Sequence, residues 1–216
     1  MSQKLKVAII GLGNIGGTVA TNFVKGNHEV IIADRTFDKA KKLAEKLGGL
    51  AEPLEIPAAL EKADIVVLAI YFDSIKEFLK NFSSQLQGKI IVDPSNPIAP
   101  DENGGFKKII GQNESAGEIL SLQLPTGAKL AKALGTLGAA SLANNAYQKP
   151  EKAVLFYATD DQSINGQIEA LIHNTGFEAL RIGELNKSIR IEVFGDLHEF
   201  GAIGKSVTLS EAKEKL

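Results

Sequence analysis

The chain of 216 residues contains no cysteine. That excludes disulfides, thiolate zinc sites, cysteine-ligated iron–sulfur clusters and a cysteine nucleophile. Long hydrophobic runs are missing too. The longest apolar stretch, Ile65 to Phe72, is far short of the ~20 residues a membrane helix needs. The N-terminus opens straight into a strand pattern, without the apolar core and cleavage site of a signal peptide. Neither charge dominates: 24 basic against 26 acidic residues leave a net charge of −2. That balance offers no sequence-wide attraction to nucleic acid or to an anionic membrane. These absences lead us to expect a soluble, cytoplasmic protein with a small-molecule or cofactor partner, and neither nucleic acid nor a membrane as partner. A homodimer stays open.

Glycine, by contrast, is abundant. The 21 glycines exceed the usual ~7% share without a collagen-like period, so they point to turns and close backbone approaches. The chain alternates apolar strands with amphipathic helices. Strands are expected at Lys4–Ile10, Val30–Ala33, Ile65–Ile70, Lys89–Val92, Ala128–Leu134, Ala153–Ala158 and Glu178–Ile182. Helices are expected at Asn14–Lys25, Lys39–Leu47, Pro57–Lys62, Asp73–Leu86, Ser115–Leu122 and Gln162–Asn174. Residues 101–111, rich in Gly and Lys, read as a surface loop, and a charged tail closes the chain from Ser210. Continuous apolar strands of this kind belong to a mostly parallel sheet covered on both faces, and right-handed crossovers make it a doubly wound α/β (Rossmann) sheet. We divide the chain into a nucleotide domain, 1–150, and a small α/β extension, 151–216. The extension is too short for a core of its own and is expected to pack on the sheet and close a cleft.

Gly11-Leu12-Gly13-Asn14-Ile15-Gly16 is G-x-G-x-x-G, lying between an apolar strand and a helix, with Asp34 ending the next strand 21 residues after Gly13. That is the full setting of a dinucleotide fingerprint. Gly11 permits the tight turn, Gly13 lets the backbone approach a pyrophosphate, and Gly16 lets helix and strand pack closely. Free amides at the helix start then hold the phosphates. No Gly-Lys-Ser/Thr follows, so a P-loop fails. Asp34 is the carboxylate that would accept hydrogen bonds from ribose hydroxyls, whereas Arg35 and Thr36 would attract a 2′-phosphate. NADP(H) and NAD(H) both remain open on these residues.

Beyond the fingerprint, the chain carries Asp34-Arg35-Thr36, Ala69-Ile70-Tyr71, Val92-Asp93-Pro94-Ser95-Asn96-Pro97, Lys132-Ala133-Leu134-Gly135-Thr136 and Ala139-Ala140 leading to Ala143-Asn144. Asp160-Asp161, Gly176-Phe177, Gly183-x-Leu185, Arg190 and Glu192 complete the set. As a set it resembles the deazaflavin (coenzyme F420)-dependent NADP oxidoreductases, whose nucleotide domain also occurs in membrane ferric reductases. The resemblance implies that Asp34, Arg35 and Thr36 sit at the adenosine 2′ position, with NADP(H) as the favoured coenzyme. It implies that Ala69, Ile70 and Tyr71 lie under the adenine and ribose, and Asn96 and Pro97 beside the nicotinamide. It puts Gly135, Thr136 and Leu137 in the acceptor half of the cleft, with a deazaflavin or flavin as acceptor. Two positions depart from the family: Asp34, where Ser or Asn is usual, and Gly135, where a larger polar residue is common.

Hydride transfer between stacked rings needs close approach and orientation rather than an acid or base. No Tyr-x-x-x-Lys pair and no His-Glu-x-x-His occurs, and no residue is assigned a catalytic or metal-binding role. His28 and His173 read as structural or solvated, and His198 as a lone histidine without a placed partner. Asp160 and Asp161 read as helix caps. Tyr71-Phe72 reads as strand-end core or as an adenine platform. Lys107-Lys108 reads as a solvated loop, or as one that orders over nucleotide. Asn96, between two prolines at a strand's carboxyl end, faces the crevice where ligands bind in open α/β sheets. An NAD(P)H-dependent oxidoreductase is the leading expectation. An imine or hydroxy-acid reductase and a non-catalytic NAD(P)H sensor are the alternatives.

Overall fold

In the computed structural model, residues 5–102 and 104–216 are described. Lys4, where the first strand was expected to begin, lies outside them. In chain order the elements begin with β1 (Val7–Ile10), α1 (Asn14–Lys25), β2 (Val30–Ala33), α2 (Phe37–Leu47), β3 (Ala51–Pro53) and α3 (Ile56–Lys62). Next come β4 (Ile65–Leu68), α4 (Phe72–Asn81), α5 (Ser83–Leu86), β5 (Ile90–Asp93), β6 (Ile98–Pro100), β7 (Phe106–Lys108) and α6 (Ala116–Ser121). The last are β8 (Lys129–Lys132), α7 (Ala139–Asn144), β9 (Val154–Ala158), α8 (Asn165–Asn174), β10 (Glu178–Gly183) and α9 (Leu209–Lys213).

Strand periodicity explains the layers. Successive strand side chains point to opposite faces, so Val7, Ile9, Ile65 and Val67 join one core while Ala8, Ile10, Val66 and Leu68 join the other. The first core takes Val19 and Phe23 of α1, Leu142 of α7 and Ile168 of α8. The second takes Leu60 of α3, Phe78 of α4 and Leu120 of α6. Both faces of β1, β2 and β4 are therefore buried, and the sheet is the doubly wound, mostly parallel one expected. Its strand order is β3-β2-β1-β4-β5-β8-β9-β10. The order reverses beside β1, where the chain returns from β3 to lay β4 on β1's other edge. A crevice outside the carboxyl ends of the strands is the usual ligand position at such a reversal.

Residues beyond 150 continue this sheet rather than forming a separate layer. β9 runs antiparallel to β8 through Lys132 and Ala158, and β10 is parallel to β9. A third apolar cluster, including Val154, Phe156, Ile191 and Leu197, fastens the end of the chain to this edge.

Three local expectations are corrected. The helix expected over Asp73–Leu86 divides at Phe82, whose backbone (φ −110°, ψ 22°) leaves the helical region. The loop expected over 101–111 contains β7, half of an antiparallel hairpin with β6. There the Asp101 carboxylate accepts from the Gly105 amide at 2.9 Å and closes the turn. In the tail, Thr208 and Glu211 form a capping box that starts α9. Among the described residues, no helix is long and apolar enough to cross a membrane.

Candidate functional site

The glycine turn lies at the carboxyl end of β1, and each of its glycines meets a different neighbourhood. Gly11 has φ +90°, a left-handed conformation, and a Cβ there would lie 2.6 Å from the Ala69 carbonyl oxygen. At Gly16 a Cβ would lie 1.9 Å from the Gly11 carbonyl oxygen and 2.9 Å from Ala69 Cβ. These two glycines let α1 sit directly on the ends of β1 and β4. Gly13 is different. A Cβ there would meet nothing within 4 Å, so the open side of the turn is the approach that the second glycine of such a fingerprint leaves for a ligand. Gly13 is also the N-cap of α1, no side chain caps the helix, and its first turn holds no acid. The first amides of a helix have no intrahelical acceptor, and here they meet the positive end of the dipole. Asn14 is exposed, Ile15 half-buried and Leu12 buried.

Asp34, at the end of β2, is turned inward. Its Oδ2 accepts the Leu12 amide at 2.8 Å and its Oδ1 the Thr36 amide at 3.1 Å. Lys39 Nζ lies 3.3 Å from Oδ2. Burial pushes the carboxyl's pKa up, but the two amides and the Lys39 ammonium outweigh it and hold the pKa below the ordinary value. The ionised side chain thus ties β2 to the glycine turn. Arg35 is exposed, and among the described residues it has neither a hydrogen bond nor an ion pair. Lys39 escaped the sequence reading because lysines on an outward helix face look alike. Only the turn of Asp34 toward α2 singles it out.

At the end of β4, Ala69 and Ile70 are half-buried against Gly11, while Tyr71 and Phe72 part company. Phe72 is core, but Tyr71 is 86% exposed, leaving its ring free at the rim of the crevice.

The ends of β5 and β8 are joined by a polar network. Asp93 and Lys132 face each other in register and form a buried ion pair at 2.7 Å. The Asn96 side chain spans the crevice wall: Nδ2 donates to the Gly135 carbonyl at 3.2 Å, and Oδ1 accepts the Val193 amide at 2.8 Å. His198 Nε2 also lies 3.0 Å from the Gly135 carbonyl, and its Nδ1 accepts the Phe200 amide at 2.9 Å. The Glu199 carboxylate accepts the Gly138 amide at 2.6 Å and the Ser141 hydroxyl, capping the start of α7. Residues 193–199 are thereby latched across the strand ends. Pro97, Gly135, Thr136 and Leu137 are all buried. A Cβ at Gly135 would lie 2.4 Å from the Pro94 carbonyl oxygen, which accounts for glycine where a larger residue is common. Among the described residues, three buried polar atoms in this region have no partner: Ser95 Oγ, Thr136 Oγ1 and Glu192 Oε2.

The remaining polar candidates are structural. Asp161 Oδ1 accepts the Ser163 amide and caps the short helical turn at Gln162–Ile164, while Asp160 accepts the Leu185 amide. His28 packs edge-on to Phe23, and His173 lies 3.4 Å from Glu178. Among the described residues there is no cluster of side chains fit to hold a metal ion.

His198 makes a testable contribution to stability. Burial lowers its pKa from 6.5 to about 4, although the Gly135 carbonyl and nearby Glu199 pull it upward. The Phe200 amide donates to Nδ1, so the neutral ring carries its proton on Nε2. Between pH 6.5 and 4 the unfolded chain binds the extra proton and the folded chain does not. Stability from this group is therefore complete above pH 6.5 and falls by roughly 2–3 kcal/mol as the pH drops through that window. Urea unfolding at pH 7 and pH 4.5 should show the loss, and His198→Gln should flatten that part of the profile. An unchanged profile in the variant would assign the acid sensitivity to other groups.

Residues 6–97, a little under half of the chain, match the family of coenzyme F420-dependent NADP oxidoreductases. The F420-dependent NADP reductase of Methanothermobacter thermautotrophicus is 28% identical over 148 residues, which cover 64% of each chain. The glutamyl-tRNA reductase of Sulfurisphaera tokodaii is 38% identical over 94 residues, covering 43% of this chain and 21% of that one. The chain therefore spans less than two thirds of either relative. A solved structure, a hypothetical protein of Sinorhizobium meliloti, superposes with a TM-score of 0.82 at 29% identity, covering 95% of this chain and 96% of that one. The glycine turn, the tied Asp34 and the strand ends up to Asn96-Pro97 all fall inside the segment that matches the coenzyme F420-dependent NADP oxidoreductases.

Proposed function

We propose that the protein is an NADP(H)-dependent oxidoreductase that exchanges a hydride between the nicotinamide and a planar acceptor, a deazaflavin or flavin. One observation carries the coenzyme half: the open space above Gly13, at the uncapped start of α1. The residues fit the group. The amides of the turn would hold the pyrophosphate, and Tyr71 would cover the adenine. Arg35, unpaired, would meet the 2′-phosphate together with Lys39. Asp34 does not oppose this, because its charge is already met by two amides and the Lys39 ammonium. Asn96 and Pro97 would wall the nicotinamide. The bound coenzyme supplies the hydride chemistry, and the chain contributes orientation and exclusion of water. Residues 193–199, latched across β5 and β8, are suited to close that side of the cleft.

The imine and hydroxy-acid reductase alternative calls for a long all-helical domain after the nucleotide domain. The sheet instead continues through β9 and β10, which favours the present reading. A sensor without turnover finds support in the burial of Gly135, Thr136 and Leu137. NADPH oxidation measured against a panel of flavins, deazaflavins and quinones separates the two.

Titration with NADPH and NADH, followed by coenzyme fluorescence, is the direct test, and absence of binding by both at millimolar concentration would end the proposal. Arg35→Ala should weaken NADPH by ~1.5–3 kcal/mol, the range for a hydrogen bond to a charged group, and leave NADH nearly unchanged. Equal losses for both coenzymes would instead mean that Arg35 stacks on the adenine.

A further inference from the structure

Residues 193–201 are fastened to the stretch where an acceptor is expected. The Glu199 amide donates to the Thr136 carbonyl at 3.1 Å and His198 Nε2 to the Gly135 carbonyl at 3.0 Å, while the Glu199 carboxylate accepts the Gly138 amide at 2.6 Å. Gly135, Thr136 and Leu137 are buried. The segment is also compact in itself. The Gly195, His198 and Gly201 amides donate to the Glu192, Gly195 and His198 carbonyls at 2.8, 3.2 and 2.9 Å. It can therefore shift as a unit without losing its own hydrogen bonds.

This closed arrangement carries costs that a shift would relieve. Leu134 at φ +66° and Phe194 at φ +75° are bulky residues in a left-handed conformation, one on each side of the junction. Ser95 Oγ, Thr136 Oγ1 and Glu192 Oε2 are buried without a partner among the described residues. Ser95 precedes Asn96, Thr136 receives Glu199, and Glu192 precedes Val193, so all three orphaned atoms lie at the junction. Water admitted there would satisfy them.

Asn96 holds the junction from the crevice side. It is only half-buried, so a ligand in the crevice can reach it. Its Nδ2 donates to the Gly135 carbonyl, and its Oδ1 accepts the Val193 amide. A carbonyl and an N–H are also the two groups of a primary carboxamide. A carboxamide beside Asn96 thus offers both hydrogen bonds in place of Gly135 and Val193. Because Asn96 is fully engaged when the segment is closed, such a ligand binds the open form better, and that difference shifts the equilibrium.

We propose that residues 193–201 form a door opened by the carboxamide of the nicotinamide. The carboxamide takes over both hydrogen bonds of Asn96, the segment loses its hold at Val193, and Gly135, Thr136 and Leu137 become accessible. The acceptor therefore enters after the coenzyme. The inference rests on the coenzyme half of the oxidoreductase reading and adds an order of events to it.

Hydrogen–deuterium exchange of the peptide carrying residues 193–201 tests the door. It is followed in the free chain and under saturating NADPH, adenosine 2′,5′-bisphosphate, or the 3-acetylpyridine analogue of NADPH. That analogue has a methyl ketone for the carboxamide and cannot donate to Asn96 Oδ1. NADPH should speed the exchange roughly fivefold or more, the low end of ordinary coupling between sites. The other two ligands should leave it unchanged. In Asn96→Ala the free chain should already exchange fast, with no further response to NADPH, while the β4 peptide stays as protected as in wild type and so reports folding. The wild-type comparison decides even where that variant does not fold. Unchanged or slower exchange in wild type with NADPH bound overturns the door, as does equal acceleration by the bisphosphate or by the acetylpyridine analogue. Failure of wild type to bind NADPH overturns the coenzyme reading instead.

Discussion

Replacing Lys132 by methionine is expected to destabilise the protein by ~3–5 kcal/mol, the usual cost of removing one partner from a buried ion pair. The side chains of Lys132 and Asp93 are 3% and 0% exposed. Removing the ammonium therefore leaves a carboxylate in the sheet interior with no counter-charge and no route to water. The pair also has a local task. Asp93 Oδ1 accepts the Ser95 amide at 2.7 Å, and Lys132 Nζ donates to the Ser95 carbonyl. Both ends of one residue are thus clamped immediately before Asn96, whose side chain links the strand ends to Val193. A double replacement, Lys132→Met with Asp93→Leu, removes both charges at once. It should recover most of the stability, since buried pairs are often no more stabilising than apolar residues of similar volume. It should not restore the clamp. The double variant should therefore keep its affinity for adenosine 2′,5′-bisphosphate, a fragment reaching only the adenosine side, while NADPH oxidation slows. Urea unfolding measures the first effect and steady-state kinetics the second. A loss below about 1 kcal/mol in the single variant would mean that water reaches Asp93.

The difference between the two halves of the site also explains what the sequence could reveal. The proposed coenzyme half is built from local sequence: a strand, six residues of turn and the next strand's end lie within residues 7–36. Spacing alone marked this turn, although Gly11 and Gly16 also meet Ala69, beyond that span, and Gly13 faces open space. The proposed acceptor half joins Asn96, Gly135 and residues 193–199, brought together only when β8 pairs with β5 and the chain end folds back across both. No periodicity encodes such a convergence. Asn96 was legible as a rigid turn at a strand end, but its role as a bridge depends on Val193, 97 residues away.

The fold shows the same division. The strands with both faces buried were recognisable as unbroken apolar runs. β3 was not, because three residues ending in proline carry no pattern, and its pairing beside β2 arises from the return of α2 to the sheet. The β6–β7 hairpin was hidden by Pro100, two glycines and two lysines, which read as loop. α7 has small residues at its start, and its place is set by packing on α1 and by the Glu199 carboxylate capping it from 58 residues or more downstream. Asp34 is the instructive intermediate case. Its position was legible, but whether its carboxylate faced outward to a ribose or inward to Leu12 was a matter of rotamer and of Lys39.

Gly16→Ala and Gly13→Ala should fail in opposite ways. They lie three residues apart in one turn, yet the first adds a methyl group 1.9 Å from a backbone oxygen and the second adds one to open space. At Gly16 the obstacles are the Gly11 carbonyl and Ala69 Cβ, neither of which can swing aside, so α1 must move away from the sheet. Overpacking of this kind costs ~3 kcal/mol, and the variant should show it as a lower urea midpoint with or without coenzyme. At Gly13 the backbone, with φ −72°, already suits an L residue. The change should cost less than ~1 kcal/mol, mostly through the poorer N-cap. NADPH, however, would lose the close approach to the turn, and a penalty of ~1–3 kcal/mol corresponds to a roughly 5- to 150-fold weaker Kd. NADH should suffer equally, because the pyrophosphate is common to both coenzymes, and this parallel loss distinguishes Gly13 from Arg35. A Gly13→Ala variant that binds NADPH as tightly as wild type would show that the phosphates lie elsewhere. An unaltered urea midpoint in Gly16→Ala would mean that α1 has slack to retreat from β1 and β4, against the close packing on which the turn's geometry depends.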